Sequence, residues 1–340
     1  MKSIYAFVFF VSMTIGVFPV LSYGQDDINF TIGKTPYRIS LSTGTGVLLG
    51  QSEEIVYKYS KKDDKLSQLN WDLNPLVYLG SALSFSRADP LAGLGVAADL
   101  SVKFGLPILS GTMEDRDWHD SSVSTSYDDP RLTNFSSHDA YIQGAMLLDV
   151  SGGISIPIAA EVVIKAMLSV SYMRFSWIAQ DGYLEYMQDG WDKKYLQGTG
   201  ITYDQNWLIL SPELGLFWPF HQVLTLDFRF FISPLIFASN TDTHINKNVQ
   251  YSDIIQGGLY LEPYLDLSFS SNQNLSLVLH GSWRYITGTR GDTYLLMIGS
   301  SSNLFQKNPD GIRAGASYSA FDLGLSLKFA LPLGKLSKKN

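Results

Sequence analysis

Side chains along this chain alternate with period two, and that pattern constrains its fold more than any other feature. From Phe321 to Leu331 the odd positions are Phe, Leu, Leu, Leu, Phe and Leu, and between them stand Asp322, Gly324, Ser326, Lys328 and Ala330. Leu275, Leu277, Leu279 and Trp283 face away from Ser276, His280, Ser282 and Arg284. Leu265, Leu267 and Phe269 likewise oppose Glu262, Asp266 and Ser268, and Asp99 and Lys103 mark the polar face of 94–106. Period two means strands.

What the second face carries decides the architecture. In a soluble sandwich the polar face meets water and the apolar face meets another sheet. Here one face is large and apolar and the other mixes small, polar and charged residues. Aromatics (Trp71, Tyr78, Phe85, Trp177, Trp207, Trp218, Phe220, Trp283) fall near strand ends. Lipid outside, a polar lumen inside and aromatic girdles at the interfaces give that pattern. Charged residues make up only 17% of the chain, against about 25% in an ordinary soluble domain. Long polar segments (110–137, 181–199, 239–251, 287–312) alternate with tight turns such as 270–274, as long extracellular loops and short periplasmic turns do. The expected fold is all-β, a transmembrane antiparallel β-barrel of about ten strands near 36–59, 65–86, 91–109, 138–156, 159–179, 200–219, 222–243, 251–269, 274–294 and 313–331. Several exceed the roughly 9–11 residues that cross a bilayer, so the barrel should project above the membrane. A soluble sandwich or jelly roll explains neither the lipid-like faces nor the secretion signal described next.

Lys2, the apolar stretch from Ile4 to Val20 and Ser22-Tyr23-Gly24 form a secretory signal peptide over residues 1–24. The expected domains are this cleaved segment, one barrel over 25–331, and a basic tail over 332–340 with Lys335, Lys338 and Lys339. With 25 basic against 32 acidic residues the chain lacks the charge balance of a nucleic-acid binder. Cysteine is absent, which removes disulfide frameworks, zinc ribbons and thiol catalysis.

Two polar clusters could carry chemistry: Glu114-Asp115-Arg116-Asp117-Trp118-His119-Asp120-Ser121-Ser122 and Asn240-Thr241-Asp242-Thr243-His244. In extended chain Asp115 and Asp117 share a face, as do Asp242 and His244. Each cluster begins where an apolar strand ends, at the barrel rim. An Asp–His pair can orient an imidazole as a general base, and a facing carboxylate pair could hold a water. A D-x-D also binds cations or simply faces solvent, and a D-x-H is also ordinary loop polarity. The strand leading to the second cluster changes register: Leu224, Leu226, Phe228 and Phe230 put the lipid face on even positions, whereas Leu235 and Phe237 put it on odd ones. A one-residue bulge near 231–234 reconciles them, and Pro234 is tolerated there.

The segment from Met113 to Ser122 resembles the omptin signature M-x-D-x-D-W-x-D-S-S, and Asp242-Thr243-His244 is similar to that family's D-x-H. Leu66-Ser67-Gln68-Leu69-Asn70-Trp71 resembles its second-strand motif, and Tyr203-Asp204-Gln205 and Gly291-Asp292-Thr293 match weaker positions. The resemblance spans nearly the whole chain after the signal and implies a ten-stranded outer-membrane endopeptidase. It implies that a water between Asp115 and His244 attacks the scissile carbonyl, with Asp242 orienting His244 and Asp117 supporting the facing carboxylate. No acyl-enzyme and no metal or other cofactor is implied. Glu54 matches the family's first-subsite glutamate, which favours basic residues beside the cut; the second acid of that subsite falls on Asn240, and Asp129 or Asp128 on the next subsite. Arg174 matches one of the arginines that grip lipopolysaccharide as an activating lipid. The second is not found near Asn206 and its acidic neighbour is not kept, which argues against dependence on that lipid. The expected partners are peptide or protein substrates and outer-membrane lipid, with no nucleic acid, for a monomer in the bacterial outer membrane with its site facing outward. The alternative is a non-catalytic outer-membrane barrel, a porin or adhesin-type binding protein.

Overall fold

The computed structural model describes residues 30–32, 35–57, 65–118, 132–159, 161–272, 274–298, 306–307 and 312–331. The expected signal segment 1–24, the expected tail 332–340, and the stretch with His119, Ser121, Ser122, Asp128 and Asp129 lie outside them. The described strands group into ten staves: β1 Thr35–Tyr57, β2 Lys65–Arg87, β3 Gly95–Gly105 continuing as Ile108–Asp117, β4 Asn134–Ala159, β5 Val162–Tyr186, β6 Thr199–His221, β7 Leu224–Ser233 continuing as Ile236–His244, β8 Val249–Gln256 continuing as Leu259–Asn272, β9 Leu275–Thr287 continuing as Arg290–Met297, and β10 Arg313–Ala330. Short strands at Phe30–Ile32, Lys194–Tyr195 and Gln306–Lys307 flank them. Every stave pairs antiparallel with its sequence neighbours. The ladder closes between β10 and β1, from Arg313 opposite Tyr57 to Ala330 opposite Ser40.

The staves are longer at their outer ends than the alternation indicates. β3 runs on through Asp117, β4 starts at Asn134 and β5 continues to Tyr186. The first polar cluster therefore begins on a strand, not in a loop. Staves of 23 to 26 residues are about 75–85 Å long at ~3.3 Å per residue. Tilted by roughly 45°, they rise some 55 Å, well above a ~30 Å hydrocarbon core.

Exposed apolar side chains concentrate in the half nearer the short turns: Leu100, Val150, Ile154, Leu168, Leu214, Phe228, Leu265, Leu279, Leu323 and Leu325 all point outward there. Higher up the outward positions turn polar, with Arg116 paired to Glu114 at 2.7 Å and Arg174 to Asp204 at 3.5 Å. Among the described residues no helix is long and apolar enough to cross a membrane; the strands do so.

The lumen is layered. At membrane depth it holds an ion network: Lys103 reaches Asp322, His280 bridges Asp266 and Asp322 (3.1 and 3.3 Å), Lys165 meets Asp227 at 2.6 Å, and Arg284 meets Glu262 at 2.9 Å. Asp322 thus pairs with both Lys103 and His280. Above it lies an aromatic layer in which Trp71 stacks on Tyr203 (5.3 Å), Phe175 on Trp177 (5.3 Å) and Phe175 on Tyr318 (5.5 Å). Trp71, Tyr78, Trp177 and Trp207 are therefore buried lumen residues and not girdle residues. Period two says which side chains share a face, but not which face is inside. Trp218 and Phe220 do lie exposed on the outer wall.

The bulge expected in β7 is present and belongs to something larger. Below it β7 faces Phe231 and Ser233 inward; above it, Ile236, Ala238, Asn240 and Asp242. The pairing with β6 slips by one residue between Phe231 opposite Glu213 and Ile236 opposite Ile209. Ser233 Oγ donates to Leu210 O at 2.5 Å and accepts from Leu235 N at 2.8 Å, satisfying the interrupted ladder. At the same height β8 switches its inward face from even (Tyr260, Glu262) to odd (Ile255, Asp253), and β9 from Arg284 and Ile286 to Thr289 and Thr293. Gly257, Gly258 and Gly288 take positive φ (72°, 104° and 71°) at these switches, where a Cβ would be strained. The three staves keep register with one another and slip together against β6 and β10.

The apolar belt predicts a depth-dependent penalty. Leu325→Arg should lower barrel stability in lipid vesicles by about 2–4 kcal/mol, read by urea titration. Thr241→Arg, on the outward row above Phe237, should cost under about 1 kcal/mol by the same measurement. Equal costs would misplace the belt.

Candidate active site

At the mouth above the aromatic layer, β3 and β7 present the two clusters to each other. On β3, Met113, Asp115 and Asp117 fall on the inward row. Asp115 stands between Leu69 of β2 and Ser136 of β4 in the ladder, and Ser67 Oγ donates to its Oδ1 at 3.3 Å. Asn134 Nδ2 donates to Asp117 Oδ2 at 3.3 Å, and Thr133 N holds the Asp117 carbonyl at 2.9 Å. Both carboxylates are thus placed by strand pairing on either side.

On β7, Asp242 stands between Tyr203 and Tyr251, and His244 between Ile201 and Val249. His244 Nε2 and Asp242 Oδ2 are 2.7 Å apart, as i and i+2 on one face of a strand allow. The Tyr251 ring meets the imidazole edge-on at 5.7 Å. Donation from Nε2 to the carboxylate places the proton on that nitrogen and leaves the Nδ1 lone pair available to the lumen. Directly after His244 the chain reverses through Ile245–Lys247, with Asn248 in the left-handed region at φ 52°.

Electrostatics tie the two sides together. Burial pushes the Asp115 carboxyl up to about 7, adjacent Asp117 adds to this, and His244 opposes it. Burial works to lower the His244 pKa, but the charge and hydrogen bond of Asp242 outweigh it, Asp115 adds to them, and the imidazole rises above its ordinary value. An Asp–His base therefore faces a carboxyl that titrates near neutrality, above the membrane belt, with stacked aromatics beneath. A water between them would meet an acceptor on each side, an arrangement suited to hydrolysis.

Of the residues singled out from the sequence, Asp115, Asp117, Asp242, His244, Glu54 and Asn240 gather at this mouth. Glu54 and Asn240 are buried one step below the Asp242–His244 pair. Arg174 lies apart, on the outer wall beside Asp204, while Asn206 accepts from Tyr172 OH at 2.8 Å. An acidic neighbour for Arg174 is thus present. Asp129 lies outside the described residues. Sequence reasoning passed over Asp253 and Ser52, and it took Tyr203, Gln205 and Thr293 as weak motif positions only. All five side chains are buried here. The alternation of β8 is the one sequence signal that could have flagged Asp253, which shares a face with Tyr251.

Comparison with known proteins agrees with this geometry. The sequence model of the Omptin family matches residues 35–331. The chain is 24% identical over 296 residues to Protease 7 of Escherichia coli O157:H7, spanning 83% of this chain and 88% of that protein. It is 23% identical over 292 residues to the outer membrane protease OmpP of Escherichia coli K12, spanning 82% and 86%. The crystal structure of the outer membrane protease OmpT from Escherichia coli superposes with a TM-score of 0.73 at 20% identity, covering 91% of this chain and all of that one.

The hydrogen-bonded pair makes a prediction that needs no substrate. Asp242 holds the His244 pKa up against burial, so Asp242→Asn should drop it below the ordinary histidine value. Titration of the imidazole proton resonances in detergent micelles measures this, and an unmoved His244 would break the argument.

Proposed function

The chain belongs to the omptin family and is an outer-membrane endopeptidase; from that premise we propose that it cleaves peptide bonds beside basic residues with a water activated between Asp115 and the Asp242–His244 pair. The observation that carries this reading is the 2.7 Å contact of His244 Nε2 with Asp242 Oδ2 on the inward row of β7, opposite Asp115. His244 Nδ1 takes a proton from the water as its oxygen bonds to the scissile carbonyl carbon. Asp115 orients that water, and burial, with Asp117 adding to it, holds the Asp115 pKa up at about 7. The tetrahedral intermediate collapses, the C–N bond breaks, and His244 returns the proton to the departing amine. No side chain forms a bond to the substrate, so no acyl-enzyme builds up.

Glu54 holds the basic side chain, and Asn240 lines the same pocket. Asp129 serves the neighbouring subsite. The enzyme works as a monomer on peptide or protein substrates, with no nucleic acid and no metal. Arg174 offers the lipid surface one guanidinium and Asn206 supplies no second one, so lipopolysaccharide is not required. The paired charges at membrane depth and the buried, stacked aromatic layer above them favour this reading over a porin.

Refolded protein in detergent, free of lipopolysaccharide, should cleave a quenched peptide library, and His244→Ala should lower kcat/KM by about a thousandfold or more. Chelators should leave the rate unchanged. Cleavage that survives the substitution would refute the mechanism. The pH profile has a definite sign. The base must be neutral, and its pKa is raised in the folded protein, so kcat/KM should climb with pH through a limb above 6.5. Asp242→Asn should move the limb to lower pH while cutting the plateau.

A further inference from the structure

Below the catalytic pair, four consecutive staves place inward polar side chains in one row. Gln205 of β6 stands opposite Asn240 of β7, Asn240 opposite Asp253 of β8, and Asp253 opposite Thr293 of β9. Across the lumen Ser52 of β1 donates to Gln205 Oε1 at 2.5 Å, which brings the next inward residue of β1, Glu54, over the same row. Glu54 is 3% exposed, Asn240 1% and Asp253 3%. Among the described residues, Glu54 Oε2, Asp253 Oδ1 and both polar atoms of the Asn240 amide have no hydrogen-bond partner.

Buried carboxylate is costly unless a cation or several donors answer it. The ion network at membrane depth meets this rule with Lys103, Lys165, Arg229 and Arg284. The upper row does not. The charges acting on Glu54 are those of Asp242, Asp253 and Asp115, all acids, and together with burial they push its carboxyl well up. Burial likewise lifts Asp253 to about 7, with Asp242 adding to it and Thr293 opposing. Two acids and an unpartnered amide in a buried row form the complement of a guanidinium or ammonium, with carboxylates for its charge and the Asn240 carbonyl for a further N–H.

Resting on the reading that this peptidase cleaves beside basic residues, we propose that Asp253 is its second specificity-determining carboxylate. It supplies from β8 the charge missing at Asn240 on the neighbouring strand. The pocket for the substrate's basic side chain is then Glu54 and Asp253, with Asn240 beside Asp253 in the ladder and Tyr203, Gln205 and Ser52 around its base. The sequence motif reads as a half-neutralised pocket; the register shows the charge moved one strand over.

The test uses two peptides that differ only at the residue before the cut, arginine in one and its uncharged isostere citrulline in the other, with products identified by mass spectrometry. The wild-type enzyme should favour arginine by a hundredfold or more. Asp253→Asn should shrink that ratio at least tenfold, and Asp253→Asn with Asn240→Asp should restore it to within about threefold, because the charge returns to the same row. A ratio in Asp253→Asn within twofold of wild type overturns the proposal while leaving the basic-residue reading intact. A wild type indifferent to the charge overturns both. Should the Asn variant not refold, Asp253→Ser gives the same comparison. Should turnover be too slow to measure, fluorescence anisotropy of labelled arginine peptide on His244→Ala protein, with and without Asp253→Asn, reads the same tenfold loss.

Discussion

Everything in this molecule depends on closure of the sheet. In hydrocarbon no water is available to an unpaired backbone N–H or C=O, so a sheet that crosses must leave no edge. The β10–β1 ladder meets that requirement over its whole length. Closure also has a chemical consequence. Asp115 and His244 lie far apart in sequence and four staves apart around the wall, yet they look at each other because the sheet is curved into a tube. Ser52 and Gln205 meet across the lumen for the same reason.

The lumen shows two responses to buried charge. At membrane depth nearly every acid has a cation or a histidine, and the network knits the walls together: Arg229 lies between Glu213, Asp227 and Asp266, and its guanidinium covers the Tyr264 ring at 3.9 Å. At the mouth Glu54, Asp115, Asp242 and Asp253 share one region, and His244 and Lys247 are the cations that act on it. Such an arrangement works against folding. Each carboxyl with a raised pKa contributes stability below its unfolded value and loses it as pH rises through the folded one. The fully buried aromatic layer beneath, with its dispersion and apolar burial, lets the wall carry that strain.

How far the sequence could be read follows from what period two can and cannot say. It identifies strands, their number, and pairs such as Asp115 with Asp117 or Asp242 with His244 that must share a face. It does not say which face is inside, so Trp71, Trp177 and Trp207 could pass for girdle residues when they are lumen packing. It loses the ends of staves where polar residues continue the ladder above the lipid, as on β3 beyond Leu109. Cross-strand register is invisible to it, which is why Asn240 read as a lost charge: Asp253 lies opposite in the ladder but across a reversal of the chain, and only pairing reveals it.

Without the extra residue between Phe231 and Ile236, the alternation of β7 would carry Asn240, Asp242 and His244 onto the outer wall, and Thr241 and Thr243 would line the lumen. The same holds for Asp253 on β8 and Thr293 on β9. A bulge in one stave alone would break its ladder to both neighbours. Here β7, β8 and β9 shift as a block, so the mismatch is confined to the seams with β6 and β10. Pro234, Gly257, Gly258 and Gly288 lie along that line because it needs a residue that lacks an N–H or residues that accept positive φ. The line lies toward the upper edge of the apolar outer face, where Leu235 and Phe237 are exposed, and Ser233 repairs the interrupted ladder with its own hydroxyl. In the lower half one parity of these staves faces lipid and the other the ion network; in the upper half the parity that faced lipid lines the acid cluster instead. One added residue per stave therefore lets the same three strands satisfy the membrane below and turn the acid cluster into the mouth above.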